Sequence, residues 1–135
     1  MPLKNAATLQ IQRLEILAPD GSVDADLMPA VTDELLLKMY RLMFQIRAFD
    51  ERAIKLQRSG RLGTYPMITG QEATQCIPPL ALKPSDWVVP TYRGGGVYFA
   101  RGMQMRYALL YWGGDDRGTH FPEGNNDMMF SIPVG

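Results

Sequence analysis

The chain has 135 residues, the length of one ordinary domain, with 46% hydrophobic and 21% charged residues. This composition is typical of a globular protein and excludes an intrinsically disordered chain. Its 14 basic and 14 acidic side chains balance, so we expect neither nucleic acid nor a membrane as a partner. No stretch approaches the ~18 apolar residues of a membrane span, and the N-terminus lacks a signal peptide's apolar block.

The chain has one cysteine, Cys76, so neither an internal disulfide nor a cysteine metal cluster can form. A catalytic thiol would want a histidine partner, and His120 is the only histidine in the sequence. A lone cysteine in an apolar run more often belongs to the core, and this is the interpretation we favour. The lack of disulfides predicts a reducing compartment, most simply the cytoplasm.

Residues 1–30 are predicted to form an N-terminal arm, separate from a domain over residues 31–135. The segment LQIQRLEIL, residues 9–17, alternates apolar and polar side chains imperfectly, which is consistent with a short strand. Asp20 and Gly21 then predict a turn.

The strongest predicted element is a helix over residues 32–60, which Thr32 or Asp33 can cap and Gly60 can end. One apolar stripe recurs at steps of four and three residues. Its members are Leu35, Met39, Leu42, Ile46, Phe49, Ala53 and Leu56. A second apolar flank exceeds what one small domain buries, so we expect a subunit contact on that side; it comprises Leu36, Tyr40 and Met43. A coiled coil is the alternative, but the pattern is too short to favour it.

Two short elements are predicted after the long helix. Gly70 can open a short helix with Glu72 in its first turn, where the helix dipole favours an acidic residue. Pro78 and Pro79 are expected to interrupt that helix, because proline lacks the amide hydrogen that the helix interior uses. The segment DWVVPTY, residues 86–92, predicts a short buried strand.

A second helix is predicted over residues 102–114, GMQMRYALLYWGG, with a glycine stop. Its apolar side comprises Met103, Tyr107, Leu110 and Tyr111. Residues 113–130 then form a long polar loop, and loops of this length are usually functional or mobile.

The segment PTYRGGGVYF, residues 90–99, contains the components of an anion-binding site. Arg93 offers a fork of donors, Tyr92 offers a hydroxyl, and the glycines allow the main chain to come close to a ligand. The segment lacks the GxGxxG spacing of a dinucleotide fold and the lysine of a phosphate-binding P-loop. On these residues alone a plain turn remains the favoured alternative.

Six segments follow one another in the order and spacing of a known family: IRAFDERAIKLQRSGRLGTY, GQEA, LKPSDWVVPTYR, ARGM, LLYWGGDDRG and SIPVG. Together they resemble the alpha subunit of the thiamine-diphosphate-dependent dehydrogenases of 2-oxo acid dehydrogenase complexes, most closely the pyruvate type. The resemblance covers residues 31–135. It implies the N-terminal part of an α/β thiamine-diphosphate-binding fold, helix-rich, with its parallel sheet incomplete in this chain.

Carried over by position, the resemblance implies that Tyr92 and Arg93 donate hydrogen bonds to the diphosphate of the cofactor. The glycines that follow would then lie beside the diphosphate. The main chain at Ile132 and Val134 would face the aminopyrimidine ring. Gly95 departs from the family pattern, because many pyruvate-type relatives carry a histidine there. The contribution of that imidazole to charge balance or proton transfer is therefore in question.

The resemblance also implies metal ions. Ser131 and the carbonyl of Pro133 correspond to positions that help hold a potassium ion in some relatives, although Ser131 could equally cap a local turn. The family's magnesium signature would come after residue 135, so we expect the magnesium ligands outside this chain. The loop offers oxygen ligands, but a solvated loop is the preferred interpretation of Asp115, Asp116, Asn125, Asn126 and Asp127. His120 is likewise more often a loop residue than a base.

The resemblance implies a subunit of an enzyme that oxidatively decarboxylates a 2-oxo acid, most simply pyruvate, and transfers the acyl group to a lipoyl arm. Its partners would be a beta subunit, in a heterotetramer, and a lipoyl acyltransferase component. In this family the residue that activates the pyrimidine belongs to the beta subunit, so we assign no catalytic residue here. We expect the 135 residues alone to be inactive. The alternative is a truncated, non-catalytic chain or a binding subunit that needs a second polypeptide. Pyruvate and branched-chain substrates remain undistinguished.

Overall fold

The computed structural model describes residues 7–83 and 85–119. Contacts between residues divide the chain into two compact units, Met1–Thr32 and Asp33–Gly135. Within the described ranges the regular elements are all helices, and no β-strand is present. They are α1 (Asp33–Arg58), α2 (Glu72–Leu80), α3 (Gly95–Ala100), α4 (Met105–Trp112) and a 3₁₀ turn (Asp116–Gly118). None of these helices is long and apolar enough to cross a membrane.

In the first unit the predicted turn at Asp20 and Gly21 is confirmed. The Asp20 carboxylate accepts hydrogen bonds from the Ser22 amide at 2.9 Å and the Ser22 hydroxyl at 2.7 Å. The short strand predicted over residues 9–17 is wrong, because the only β-pairing in the described part of this unit is an isolated bridge between Leu17 and Val23. Leu9, Ile11 and Leu14 before that bridge are exposed, so the described part of this unit offers no surface that would bury one face of a strand.

Helix α1 confirms the long helix that was predicted. Its first turn is acidic and its last turn is basic, which complements the helix dipole at both ends. Beyond its end, the Arg61 amide donates to the Leu56 carbonyl at 2.9 Å, a bond that closes many helices. Every member of the predicted apolar stripe is buried or half-buried.

The second apolar flank of α1 is only partly as predicted. Leu36 and Tyr40 are exposed, and Leu37 and Phe44 extend this exposed surface. Met43, in contrast, packs against the core of its own unit. The subunit contact stays a prediction that involves Leu36 and Tyr40 but not Met43.

Helix α2 corrects the expectation that Pro78 and Pro79 interrupt it, because both lie inside its last turn. The prolines deprive the carbonyls of Thr74 and Gln75 of their usual helical donors. The helix ends at Leu80, directly after the pair, so the loss is confined to its end. Tighter i→i+3 bonds follow, with the Ala81 amide donating to the Pro78 carbonyl at 3.1 Å.

The buried strand predicted over residues 86–92 is also wrong. Trp87 and Val89 are 68% and 75% exposed, and no strand forms there. A strand needs a neighbour for its backbone hydrogen bonds, and the described residues offer none.

Helix α3 was not predicted, whereas α4 confirms the second predicted helix. Tyr107 lies on the buried side of α4 as expected, together with Ala108, while Leu110 and Tyr111 are half-buried. Of the loop predicted over residues 113–130, the described part contains the 3₁₀ turn, which packs against α4.

The core of the second unit lies where α1, α2, α3 and α4 meet the segment after α1. Its buried members are Ile46, Phe49, Ala53, Tyr65, Ile68, Cys76, Phe99 and Ala108. Edge-to-face contacts between aromatic rings run through the core. The ring centre of Phe49 lies 4.9 Å from that of Phe99 and 6.1 Å from that of Tyr65, and the ring centre of Tyr65 lies 6.0 Å from that of Trp112. Such contacts add to the stabilisation from burial alone.

Helices α2 and α3 touch at the level of the main chain. A Cβ atom at Gly96 would lie 2.8 Å from the Gln75 Cβ and 3.0 Å from the Gln75 Oε1. The Gly96 amide donates to that same Oε1 at 2.9 Å. The glycines therefore have a packing role in this fold, whatever ligand lies nearby.

We expect Gly96→Ala to destabilise the second unit by about 1–3 kcal/mol, the usual cost of forcing extra atoms into a packed core. The added methyl group meets the Gln75 Cβ, which cannot rotate away. Urea unfolding of parent and variant measures the difference in the free energy of unfolding. Equal stability would mean that the helices separate at little cost.

Candidate functional site

Tyr92 and Arg93 are the two central residues of a tight turn that leads into α3. The Gly94 amide closes this turn on the Thr91 carbonyl at 2.8 Å. A Cβ atom at Gly94 would lie 2.5 Å from the Pro90 Cβ, so the turn has room only for glycine at that position. We call residues 91–94 the Tyr92–Arg93 turn.

The side chains of Tyr92 and Arg93 are exposed and paired with each other. The Arg93 Nε donates to the Tyr92 hydroxyl at 3.1 Å, and the guanidinium carbon lies 5.2 Å from the centre of the ring. Within the described residues this is the one hydrogen bond of the guanidinium, so its two terminal amino groups have no protein acceptor. Tyr92 is 74% exposed. The turn thus presents a positive charge and unused donors, which suit an anion with several oxygens.

A cavity of about 310 Å³ opens beside the Tyr92–Arg93 turn. Aromatic side chains dominate its walls: Phe49, Tyr65, Tyr98, Phe99, Tyr111 and Trp112. Tyr92 lines it too, and none of its described lining residues is charged. Burial raises the pKa of the Tyr98 phenol, with a further contribution from Tyr111, so the Tyr98 hydroxyl stays protonated at neutral pH. Such a cavity suits an uncharged, ring-containing or apolar group.

Asp50 is fully buried and connects α1 to the segment that precedes α2. Its Oδ1 accepts from the Tyr65 hydroxyl at 2.8 Å and the Ile68 amide at 2.9 Å. Its Oδ2 accepts from the Thr69 amide at 3.0 Å and from the Thr69 hydroxyl. Burial, and then the hydrogen bond to Asp50, raises the pKa of the Tyr65 phenol. We call these bonds the Asp50 network.

A second polar contact fixes the start of α2. Glu72 pairs with Arg47 of α1, and its Oε2 accepts from the Gly70 amide at 3.0 Å. The hydrogen bond from Arg47 holds the pKa of the Glu72 carboxyl below its ordinary value. Gln75 Nε2 donates to Gln71 Oε1 at 2.8 Å while its own Oε1 accepts from Gly96. Together these bonds tie α2 to α1 at one end and to α3 along its side.

Gly95, the position of the departure from the family pattern, lies against Ile68. A Cβ atom there would be 3.0 Å from the Ile68 Cδ1. A larger residue at position 95 would therefore require the end of the Ile68 side chain to move by a few tenths of an ångström.

The predicted potassium ligands Ser131 and Pro133 lie outside the described residues, and Asp115 belongs to the loop that was interpreted as solvated. Asp115 accepts three hydrogen bonds from Arg117, at 2.6–3.0 Å. The side-chain bonds from Arg117 lower the pKa of Asp115 to about 2. Residues 7–83 and 85–119 contain no cluster of acidic, histidine or cysteine side chains that could hold a metal ion.

Several predicted site residues lie outside the described part of the chain. They are Ser131, Ile132, Pro133 and Val134, and the loop residues His120, Asn125, Asn126 and Asp127 lie outside it too. Of the predicted cofactor-binding residues, the structure thus describes Tyr92 and Arg93, which it brings together at the rim of the aromatic cavity.

Sequence reasoning missed Asp50, although the sequence contained a signal for it. Asp50 follows Ile46 by four residues and precedes Ala53 by three, so it lies on the buried face of α1. A carboxylate on that face requires hydrogen-bond partners. The interpretation of Cys76 as a core residue is confirmed, since its side chain is fully buried.

Comparison with known proteins finds a match of residues 40–132 to the family model "Dehydrogenase E1 component". The chain is 36% identical over 132 residues to the pyruvate dehydrogenase E1 component subunit alpha of Staphylococcus epidermidis. It is equally similar to the protein of that name from Staphylococcus aureus, with 36% identity over 132 residues. Each match covers 97% of this chain and 36% of the relative, so the chain spans about a third of the length of these relatives.

We expect Glu72→Gln to lower the free energy of unfolding at neutral pH. We also expect that free energy to fall less in the variant than in the parent as the pH drops. The pKa of Glu72 in the folded state is lowered from its ordinary value of 4.5. Its contribution to stability is therefore present above pH 4.5 and is lost as the pH falls through the lower pKa of the folded state. The difference in the free energy of unfolding between parent and variant should therefore shrink below about pH 4.5. Asp26→Asn, at an exposed carboxylate without an ion pair among the described residues, is the control. A difference that stays constant with pH would contradict this role.

We expect the native protein to resist thiol reagents at mildly alkaline pH. The Cys76 side chain is buried, and burial raises its pKa to about 11, so it is both inaccessible and protonated. Absorbance after addition of a disulfide reagent should show no reaction until guanidinium unfolds the chain. Rapid modification without denaturant would show that α2 and α3 open readily.

Proposed function

The chain belongs to the dehydrogenase E1 component family, and we propose on this premise that it supplies the N-terminal part of the alpha subunit of a 2-oxo acid dehydrogenase. Pyruvate is the proposed substrate, because both relatives described above are pyruvate dehydrogenase subunits. The proposed reaction is oxidative decarboxylation with transfer of the acyl group to a lipoyl group. The observation that carries the proposal is the exposed pair of Tyr92 and Arg93 on a tight turn beside an aromatic cavity.

Tyr92 and Arg93 are proposed to hold the diphosphate of thiamine diphosphate. The residues fit this group, since the guanidinium has unused amino groups and the phenol can donate its hydroxyl hydrogen. The cofactor supplies the carbanion chemistry that decarboxylation of a 2-oxo acid needs. The chain's own contribution is to bind and orient the cofactor, because a charge-assisted hydrogen bond from a preorganised turn loses little entropy.

The other proposed contacts lie outside the described residues. The main chain at Ile132 and Val134 is proposed to face the aminopyrimidine ring, and Ser131 and Pro133 to contribute to a potassium site. Magnesium ligands are proposed outside this chain.

Residues 31–135 are proposed to be the N-terminal part of an α/β domain whose parallel sheet is completed by further parts of the protein. Two observations support this. The chain spans about a third of the relatives, and Trp87 and Val89 lie exposed on a segment without regular secondary structure. A neighbouring strand would satisfy the backbone groups of that segment.

The proposed partners are a beta subunit, in a heterotetramer in the cytoplasm, and a lipoyl acyltransferase component. The exposed flank of α1 around Leu36 and Tyr40 supports a subunit contact, because apolar surface of this kind is usually covered in an assembly. This contact does not require Met43.

The second candidate is a chain that is non-catalytic by itself and needs another polypeptide to complete the site. The two candidates differ in what the DNA encodes after codon 135. A Gly-Asp-Gly segment in frame supports a conventional alpha subunit, and one in a neighbouring gene supports a split subunit.

We expect Arg93→Ala to weaken thiamine diphosphate binding by roughly tenfold or more in the full-length subunit assembled with its partner. The variant loses hydrogen bonds to a charged group, which contribute about 1.5–3 kcal/mol each, and 1.4 kcal/mol is about a factor of ten. Titration calorimetry measures the dissociation constant.

Arg106→Ala is the matched control for this experiment. The Arg106 guanidinium also donates to the hydroxyl of its neighbour, Tyr107, at 3.1 Å and lies 4.9 Å from that ring. Its partner Tyr107 is not among the residues that line the aromatic cavity, whereas Tyr92, the partner of Arg93, is. An equal effect of the two variants, or no effect of Arg93→Ala, would overturn the diphosphate assignment.

A further inference from the structure

The position of the Tyr92–Arg93 turn depends on the segment between α1 and α2. Ile68 of this segment is almost fully buried, and its Cδ1 lies 3.0 Å from the place of a Cβ atom at Gly95. Gly95 is the first residue of α3 and comes two residues after Arg93. Since Ile68 packs against the main chain at Gly95, a shift of Ile68 must move the start of α3 or open a gap there.

Asp50 is what holds Ile68 in place from the side of α1. Its two oxygens accept both consecutive amides, Ile68 at 2.9 Å and Thr69 at 3.0 Å, and two side-chain hydroxyls beside them. The Gln71 amide also donates to the Ile68 carbonyl at 2.9 Å, which carries the constraint into α2. The backbone at Ile68 is thereby bonded on both its amide and its carbonyl side.

The turn itself has no comparable support of its own. Its closing bond, from the Gly94 amide to the Thr91 carbonyl, is local, and the side chains of Tyr92 and Arg93 bond to each other. Support from outside the turn comes through α3: Gly95 against Ile68, and Gly96 against Gln75.

We propose that Asp50 is a positioning residue for the Tyr92–Arg93 pair: its carboxylate fixes Ile68, Ile68 fixes the start of α3, and α3 sets the direction from which Arg93 approaches a diphosphate. This inference rests on the proposed function. Asp50 touches no ligand in this arrangement, since it is fully buried and all four of its bonds go to residues 65–69.

The test is a double-mutant cycle on thiamine diphosphate affinity, with Asp50→Asn and Arg93→Ala in the full-length subunit assembled with its partner. Asparagine keeps the shape of the side chain but replaces one acceptor oxygen with a donor, so it loses part of the network around Thr69. If Asp50 acts through Arg93, Asp50→Asn should raise the dissociation constant about fivefold or more in the parent, within the range of coupled residues. In the Arg93→Ala background the same change should have almost no further effect.

Met43→Ala is the control for general loss of stability. It removes core packing on the same helix, and we expect it to lower the melting temperature without changing the dissociation constant. Should Asp50→Asn reduce the yield of folded subunit, Thr69→Val makes the same measurement, because it removes only the hydroxyl donor.

Each outcome of the cycle separates the inference from the proposed function. Without any effect of Arg93→Ala, the diphosphate assignment fails. If Arg93→Ala weakens binding but Asp50→Asn does not, the role of Asp50 is overturned. It is also overturned if the effects of the two variants add in full. Loss of affinity in Met43→Ala as large as in Asp50→Asn would likewise show that Asp50 acts only through stability.

Discussion

The second unit of this protein depends on one buried carboxylate. A carboxylate cannot be withdrawn from water at tolerable cost unless its oxygens receive hydrogen bonds in return. Asp50 meets this condition with two donors for each oxygen, all from residues 65–69. That requirement folds the segment after α1 back onto the helix that precedes it. Tyr65 and Ile68 are thereby brought into the core, where α3 and α4 pack on them.

The elements that were predictable from the sequence are those whose signal is local. Helix α1 shows its apolar period and its charged ends within one continuous stretch, and α4 ends at a glycine as expected. Helix α3 was missed because glycine disfavours helices in isolation, and only contacts with Ile68 and with α2 explain its glycines. The strand over residues 86–92 was wrongly predicted because pairing depends on another segment, and the described residues provide none.

The candidate site likewise contains one part with a local signal in the sequence and one part that depends on distant segments. Tyr92 and Arg93 are adjacent in sequence, so residue chemistry and the resemblance together identified them. The cavity beside them was not predictable, since its walls come from α1, α3, α4 and the segments between them. Because the whole chain is electrically neutral, attraction of an anion to this site must come from local charge, and Arg93 is the charged side chain of the turn.

The direct contact of α2 with α3 has a mechanical consequence. Most helix pairs touch through side chains, which rotate and absorb small displacements. Here the main chain at Gly96 packs directly against the Cβ of Gln75, and no flexible side chain lies between them. The contact between α2 and α3 therefore permits little relative movement of the two helices. A sideways movement of α2 would be passed on to α3, and so to the two residues that precede it, almost without attenuation. The three consecutive glycines, which in most chains would add looseness, serve in this fold as a stiff coupling.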